Sequence, residues 1–335
     1  MSSKWWLVIA ASGVLAIGVA ACGDDDDGDG GGDGGGDLTG TIRIDGSSTV
    51  APLTEAIAEG FNEENPDVNI TVGTSGTGGG FEKFCAGETD ANDASEAIGD
   101  EEIAACEKGG VSYEELQVAN DALTVVVNPE NPVTCMTVDQ LRSVWSPGSK
   151  VNSWSQIQGL EPPYEESLDL YGPGSDSGTF GYFTAAINGE EDAIRNDYND
   201  VGEDDNATVT GVVGSPGGMG YFGYSFFSEN EDQLKALEID DGSGCVAPSV
   251  ETVQDGSYTP LRRPLFVYPS AAALERPEFD AFLEYYLENV NDIAEQVGFI
   301  GLTDEQLSES QSKLESLIGQ SGGGAETTGG AETTG

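Results

Sequence analysis

The sequence predicts an α/β fold with mainly parallel strands, and two observations support this prediction. Short β-like runs alternate with helical patterns between Leu38 and about Gln320, as expected where helices connect parallel strands. Several of the helical segments carry apolar residues along one face. With 335 residues, the chain is long enough for two domains or for one two-lobed unit. In such sheets, ligands bind beyond the carboxyl ends of the strands, where helices begin.

The predicted elements follow one another along the chain. The strands are "TIRID", "VNITVG", "ALTVVVN", "LDLYG", "VTGVV" and "LFVYP". The first helix, starting near Val50, has one apolar face formed by Val50, Leu53, Ile57 and Phe61, and a late helix has another, formed by Leu283, Tyr286, Leu287 and Val290. The sequence leaves two questions open. Gly217–Phe227 is either a segment at the cleft mouth or hinge, or part of the core. Trp145 and Trp154 lie either in the core or on the surface of a lobe.

Composition excludes several functions. The chain has 12 Lys+Arg against 61 Asp+Glu, a formal net charge of −49, so we expect no nucleic-acid partner. Its acidity is typical of a solvated surface suited to high salt. The absence of histidine excludes Ser-His-Asp catalysis and histidine-liganded zinc, and no P-loop motif occurs. We therefore predict that the protein is not an enzyme and needs no cofactor or metal.

The N-terminus is typical of a lipoprotein signal. Lys4 precedes an apolar run, Trp5–Ala21, and "VAAC" ends that run at Cys22. This pattern predicts a signal peptide over residues 1–21 and lipidation of Cys22; a plain transmembrane anchor is the alternative. Either anchor would leave the rest of the chain on the outer face of the cytoplasmic membrane, on the periplasmic or extracellular side.

Low-complexity segments flank the predicted body. Residues 22–37 form an acidic Gly/Asp-rich tether without apolar residues, which we expect to be disordered. Part of it mimics half a calcium loop, but Gly36 stands where the closing glutamate belongs. Residues 321–335 form a second low-complexity tail, in which "GAETTG" repeats.

Four cysteines besides Cys22 predict two disulfides, because an even number in an exported protein favours bridges over free thiols. Three pairings are possible. We favour the one that keeps each bridge within one lobe; reduced core cysteines are the alternative. This pairing is Cys85–Cys106 and Cys135–Cys245.

Three strand-to-helix junctions share one chemistry. Hydroxyl residues and glycines stand at each: Ser47, Ser48 and Thr49; Ser75 and Thr77; Ser177, Gly178 and Thr179. Each junction offers hydroxyl donors, unpaired N–H groups and the positive end of a helix dipole. Ordinary helix capping explains any one of them. If the three converge, they surround an oxyanion with neutral donors, which an acidic chain can supply.

Several motifs resemble those of one family. "DGSSTVAPL", "GTSGTGGGFEKFCAGETDANDAS", "GPGSDSGTFGYFTAAINGE", "GGMGYFGYSFF" and "GCVAPSVETVQDGSY" together resemble the substrate-binding protein of the phosphate-specific ABC transporter, over nearly all of the segment from Thr41 to Leu307. The resemblance implies a two-lobed, type II periplasmic-binding-protein-like fold that closes on phosphate in a cleft between the lobes. It also implies delivery of phosphate to the transmembrane subunits of an ABC permease, by a monomer. We divide the body into lobe one (residues 38–120 and 250–320) and an inserted lobe two (residues 121–249).

Carried over by motif, the phosphate contacts fall on the three junctions. They are Ser48, Thr49, Ser75, Gly76, Thr77, Ser177, Gly178 and Thr179, with Ser95 after the second junction. Two family arginines are missing, because Pro173 and Glu96 occupy their positions. Arg195 is the nearest later cation and the candidate substitute, unless it is a surface arginine paired with an acid.

A carboxylate in the site would separate phosphate from sulfate. Phosphate near neutral pH still carries a proton to donate, whereas sulfate brings no donor to a buried acceptor. The carboxylates beside the junctions are Asp45, Asp93, Glu96 and Asp176. We favour Asp176 as the acceptor, followed by Asp93 and Asp45, although helix capping explains Asp176 equally well. A receptor for sulfate or molybdate, and a surface protein for adhesion or phosphate sensing, remain the alternative functions.

Overall fold

The structure is a computed structural model that describes residues 38–175, 177–202 and 204–322. The predicted signal peptide, the tether, Cys22 and the tail beyond Gly322 lie outside these residues. The strands are β1 (Gly40–Gly46), β2 (Val68–Val72), β3 (Ala91–Ala94), β4 (Leu116–Val127), β5 (Cys135–Thr137), β6 (Asp169–Gly172), β7 (Asn199–Asp200), β8 (Gly218–Gly223), β9 (Lys235–Ala236), β10 (Glu238–Asp240), β11 (Cys245–Val246) and β12 (Arg262–Pro269). The helices are α1 (Ala51–Glu64), α2 (Thr77–Cys85), α3 (Asp100–Gly109), α4 (Val138–Trp145), α5 (Gly178–Asn188), α6 (Asp205–Gly214), α7 (Tyr224–Glu229), α8 (Val250–Gln254), α9 (Pro277–Gln296) and α10 (Asp304–Gly322).

The main sheet is mixed rather than mainly parallel. Its strand order is β2-β1-β3-β12-β4-β8-β6-β7, and β9 pairs with β4. The pairs β1–β2, β1–β3, β6–β8 and β6–β7 are parallel, whereas β12 runs antiparallel to both β3 and β4. The loops after β1 and β2, which lead into α1 and α2, therefore leave the same edge of the sheet as the loop after β3.

Two hydrophobic cores define two lobes. The apolar faces expected on the first and a late helix are buried in the first core, as predicted. Strand β4 changes core between Ala119 and Ala122, and the returning chain changes core between Leu261 and Leu265. On this division the second crossing falls at the start of β12, later in the chain than the expected Ser249. The two crossing strands thus lie side by side.

One predicted strand is wrong. The run "VTGVV" lies inside helix α6, although β-branched residues favour strands. Val209 and Val212, three residues apart, are buried together in a small cluster with Phe222 of β8. The side chain of Asp204 accepts a hydrogen bond from the Ala207 N–H and caps the helix. Burial of this face outweighs the local strand preference.

The disulfide pairing agrees with the prediction. Cys85–Cys106 joins α2 to α3, and Cys135–Cys245 joins β5 to β11 in a small three-stranded sheet. None of the helices within the described ranges is both long and apolar enough to cross a membrane.

The aromatic segments left open by the sequence belong to the core of lobe two. Trp145 and Trp154 are fully buried there. Most of Gly217–Phe227 forms β8, whose Tyr221 ring stacks on Phe183 of α5 at 3.7 Å between centroids. Of the two possibilities for this segment, the structure supports core packing for the β8 part, whereas the residues from Tyr224 onward begin α7, which has no fully buried residue.

Candidate functional site

A cavity of about 650 Å³ lies between the two lobes. Its lining comes from both lobes and is rich in hydroxyls, glycines and charged side chains. The lining residues are Ser47, Ser48, Thr49, Ser75, Gly76, Thr77, Gly78, Gly79, Ser95, Glu96, Gly178, Gly181, Tyr182, Ala185, Ala186, Glu191, Pro260, Arg262 and Arg263. The cavity therefore contains residues from all three junctions.

The first and second junctions are bonded to each other. The Gly76 N–H donates to the Gly46 carbonyl at 2.9 Å, and the φ of +82° at Gly76 lies in a region that glycine adopts without strain. The Ser95 N–H donates to Thr77 Oγ1 at 3.2 Å, and the two hydroxyls lie 3.3 Å apart. The ends of β1 and β3, which are parallel neighbours, hold these loops together.

The third junction approaches from lobe two. A Cβ atom placed on Gly178 would lie 3.5 Å from Thr49 Oγ1, so the first turn of α5 meets the first junction across the cleft. Ser177 and Thr179 flank Gly178 but do not line the cavity in this structure. Asp176, the favoured carboxylate, lies outside the described residues.

The hydroxyls at these junctions do not cap their helices. Helices α1, α2 and α5 have no side-chain hydrogen bond at the N-cap. By contrast, Thr137, Asp204 and Ser249 cap α4, α6 and α8, which start away from the cavity. The first N–H groups of α2 and α5 and the dipoles of all three cavity helices are therefore available to an anion, whereas in α1 the Ala51 and Leu53 N–H groups donate to the Ser47 and Val50 carbonyls.

Arg195, like Ser177 and Thr179, is a predicted site residue that does not line the cavity, and its side chain lies in the interior of lobe two. Its side chain is 5% exposed in lobe two, where it donates to the Val144 and Val151 carbonyls and pairs with Asp197. The bonds to Val144 and Val151 hold the chain after α5 against the end of α4 and the loop that follows it. Arg195 therefore stabilises lobe two, and the prediction that it replaces the missing arginine is corrected.

Arg263, which sequence reasoning missed, supplies a cation to the cavity. Its Nη2 donates to Thr49 Oγ1 at 2.9 Å and its Nε to Asp121 Oδ2 at 3.0 Å. Its guanidinium also covers the ring of Tyr182 at 3.9 Å. One signal in the sequence could have identified it. The chain has only 12 basic residues, and two of them are adjacent arginines at the start of the last strand.

Pro173 stands at one of the two positions where the resembled family carries an arginine. It is buried, and its carbonyl accepts a hydrogen bond from the Tyr198 hydroxyl at 2.9 Å. Among the residues that line the cavity, the cations are Arg262 and Arg263. The positive charge of the described cavity therefore comes from β12, the strand on which the chain returns to lobe one.

The carboxylates beside the junctions occupy three environments. Glu96 lines the cavity. Asp45 faces away and binds Lys83 and Ser75. Burial alone would raise the pKa of Asp45, but hydrogen bonds from Lys83, Ser75 and Gly46 outweigh it and lower that pKa to about 2. Asp45 thus anchors the second loop to β1 as a carboxylate.

Asp93 is fully buried beneath the first junction. Burial, reinforced by Asp45 and Glu55, raises its pKa to about 8. The Thr54 hydroxyl acts in the opposite direction but is engaged with Tyr286 at 3.1 Å, and neither Asp93 carboxyl oxygen has a hydrogen-bond partner among the described residues. At neutral pH, Asp93 is therefore a protonated core residue and cannot serve as a charged acceptor.

In the described part of the chain, Cys135, Glu238 and Cys245 are the side chains grouped closely enough to share a metal ion. The two cysteines form a disulfide, so neither offers the thiolate that a metal needs. The chemistry of the main cavity is instead that of anion binding by N–H groups, hydroxyls and a guanidinium.

Comparison with known proteins places the chain in a family. The PBP superfamily domain model matches residues 31–290. Protein SphX of Synechococcus elongatus is 42% identical over 82% of this chain and 81% of its own length. The phosphate-binding protein PstS of Staphylococcus saprophyticus is 38% identical over 95% of this chain and 96% of its own.

Solved structures agree with these relatives. The crystal structure of a possible phosphate-binding protein from Planctomyces limnophilus is 44% identical, with a TM-score of 0.79 over 84% of this chain and 99% of that one. Together with the two lobes and the cleft, these matches establish the two-lobed type II periplasmic-binding fold. The chain belongs to the PBP superfamily and, within it, to the phosphate-binding substrate-binding proteins that include PstS, a family of binding proteins and not of enzymes.

Proposed function

We propose that this protein captures inorganic phosphate outside the cytoplasmic membrane and delivers it to an ABC import permease. The observation that carries the proposal is the convergence of three helix starts without side-chain caps on one cavity between two lobes, two of them bringing hydroxyls and the third bringing Gly178. Such a cavity binds an oxyanion through fixed dipoles at contact distance, which act even in an acidic protein because salt screens distant charges. PstS relatives carry phosphate binding in their name.

Two described carboxylates line the cavity, Glu191 and Glu96, and we assign the selection of phosphate over sulfate to Glu96. It lines the cavity after β3, close in sequence to Ser95. A carboxylate there accepts the proton that phosphate still carries, whereas sulfate brings no proton and leaves two negative charges facing each other. Asp176, next to the third junction in the sequence, stays a second candidate for the same role.

The predicted lipid on Cys22 would hold the protein, as a monomer, at the outer face of the membrane beside its permease. The long tether after Cys22 would let the folded body reach the permease from a fixed anchor. A Cys22→Ala variant should fail to incorporate a labelled fatty acid, whereas the wild-type chain should incorporate it. In proteoliposomes that contain the permease, phosphate uptake should require addition of this protein.

The deciding experiment is calorimetric titration of the full-length chain, kept in detergent and first stripped of bound anion by unfolding and refolding. Phosphate should bind one-to-one, and a large excess of sulfate should not displace it. If sulfate binds as well as phosphate, Glu96 marks a receptor for a different oxyanion. If neither anion binds, the family fold serves another purpose here, and the proposal is wrong.

A further inference from the structure

The binding cavity has an unusual supply of positive charge. Members of the resembled family carry an arginine at two positions where this chain has Pro173 and Glu96. The cations that line the described cavity are Arg262 and Arg263, both at the start of β12. Of the two, Arg263 is turned inward: its side chain is 14% exposed.

Three contacts hold Arg263 in one orientation. Asp121 of β4 accepts from Nε, Tyr182 of α5 covers one face of the guanidinium, and Thr49 accepts from Nη2. A guanidinium carries five N–H donors in a rigid fork. Among the described residues, none accepts a hydrogen bond from Nη1. One edge of the fork is therefore left for a ligand in the cavity that Arg263 lines.

The bond to Thr49 also fixes what the Thr49 hydroxyl can do. Thr49 Oγ1 receives the Nη2 proton at 2.9 Å, so its own proton must point to another acceptor. A charged donor withdraws electron density from the oxygen and makes the hydroxyl a stronger donor. The hydroxyl lies beside Gly178, at the uncapped start of α5, where an oxyanion would meet the helix N–H groups.

We propose that Arg263 is the cation of this binding site: its Nη1 edge contacts the bound oxyanion, and its Nη2 directs the Thr49 hydroxyl toward the same oxyanion. This inference rests on the proposed function. Asp121 and Tyr182 keep the guanidinium in place. The contact reaches the anion from β12, the strand on which the chain returns to lobe one, so anion binding acts directly on the crossing between the lobes.

The test is calorimetric titration of phosphate into the stripped full-length chain and its variants. Arg263→Gln should weaken binding about 30- to 100-fold, as expected for loss of charge-assisted hydrogen bonds. Arg263→Lys, which keeps the charge but loses the fork, should fall between. Arg43→Gln is the matched control, because Arg43 is exposed on β1 and has no side-chain bond in the described structure; it should change affinity by less than about threefold.

A double-mutant cycle separates a binding role from a purely structural one. Thr49→Val should weaken phosphate binding about tenfold in the wild-type background and about twofold or less in the Arg263→Gln background. Equal effects in the two backgrounds would show that Thr49 acts without Arg263 and would overturn the directing role. Unchanged binding by Arg263→Gln would overturn the cation role.

Folding and function are kept apart by two further measurements. If Arg263→Gln fails to fold, a double variant that combines Asp121→Asn with Arg263→Gln takes its place. It leaves no unpaired charge at the crossing and should show the same loss of affinity. If the wild-type chain itself binds neither phosphate nor sulfate, the proposed function fails and this inference falls with it. If the wild type binds phosphate and the double variant binds equally well, this inference alone is wrong.

Discussion

Arg263 on β12 and Asp121 on β4 form an ion pair, with Arg263 Nη2 3.0 Å from Asp121 Oδ2. The two residues face each other where the chain crosses from one lobe to the other, between the two hydrophobic cores. Their side chains are 14% and 12% exposed, so water screens the pair only weakly. The crossing and the cavity thus share the Arg263 side chain, which Asp121 holds in place.

Removal of the Asp121 carboxylate should destabilise the protein. Asp121→Ala leaves the Arg263 charge without its partner in a nearly dry position, and we expect the free energy of unfolding to fall by about 3 kcal/mol. Urea unfolding of the phosphate-free chain measures this change. Asp139→Ala is the control, because the Asp139–Arg142 pair is exposed and should contribute at most about 1 kcal/mol. Equal losses in the two variants would contradict the structural role of the crossing pair.

The sequence predicts the elements whose patterns are local. The two apolar helix faces and most strands follow from periodicity, and the hydroxyl-rich helix starts follow from composition at fixed offsets. "VTGVV" fails because the burial of Val209 and Val212 against β8 is a tertiary effect that local β-propensity does not contain. The prediction of a mainly parallel sheet is wrong for a similar reason, because β12 enters between β3 and β4 from far along the chain.

Within the site, the sequence predicts the donors of the loops but not their charge partner. The loops can be identified because each donor set is contiguous. Arg263 cannot be identified in this way, since it joins Thr49 and Asp121 from positions far away in the chain. Arg195 is the cation that proximity in sequence to the third junction favours, yet its guanidinium is directed into lobe two.

The two disulfides should contribute unequally to stability. Cys135–Cys245 closes a loop with a sequence separation of 110, against 21 for Cys85–Cys106. Under the loop-entropy model, the paired Cys→Ala variants should lose about 4.7 and about 3 kcal/mol, respectively. Urea unfolding of each double variant, beside the oxidised wild type, gives the comparison. A larger loss from the shorter loop would show that native packing, and not chain entropy, dominates.

Asp93 should make the protein less stable as the pH rises. Its pKa is about 8 in the folded protein, against an ordinary value of 3.8 for an aspartate exposed to water. Between these values the folded state keeps a proton that the unfolded state has released, so the free energy of unfolding falls with increasing pH and levels off above about pH 8. The contribution should be on the order of 1 kcal/mol per pH unit within that window.

Asp93→Asn tests this origin, because an amide does not titrate. The variant should be less stable than the wild type near about pH 5 and more stable above about pH 8, so that the two stability curves cross. Asp139→Asn, at an exposed position, should leave the slope unchanged. Asp45 does not interfere, because its lowered pKa places its loss of stability below about pH 4. Parallel curves for Asp93→Asn and the wild type would rule out Asp93 as the source.

Glu96→Gln should relax the selectivity of the cavity. The carboxylate accepts the phosphate proton and repels sulfate, whereas the amide can donate to either anion. We expect phosphate affinity to fall about tenfold and sulfate affinity to rise, both measured by competition titration near neutral pH. Asp176→Asn, made in parallel, assigns the role: loss of selectivity in that variant alone would return the function to Asp176. Loss in Glu96→Gln alone would identify the carboxylate after β3 as the group that recognises the proton of phosphate.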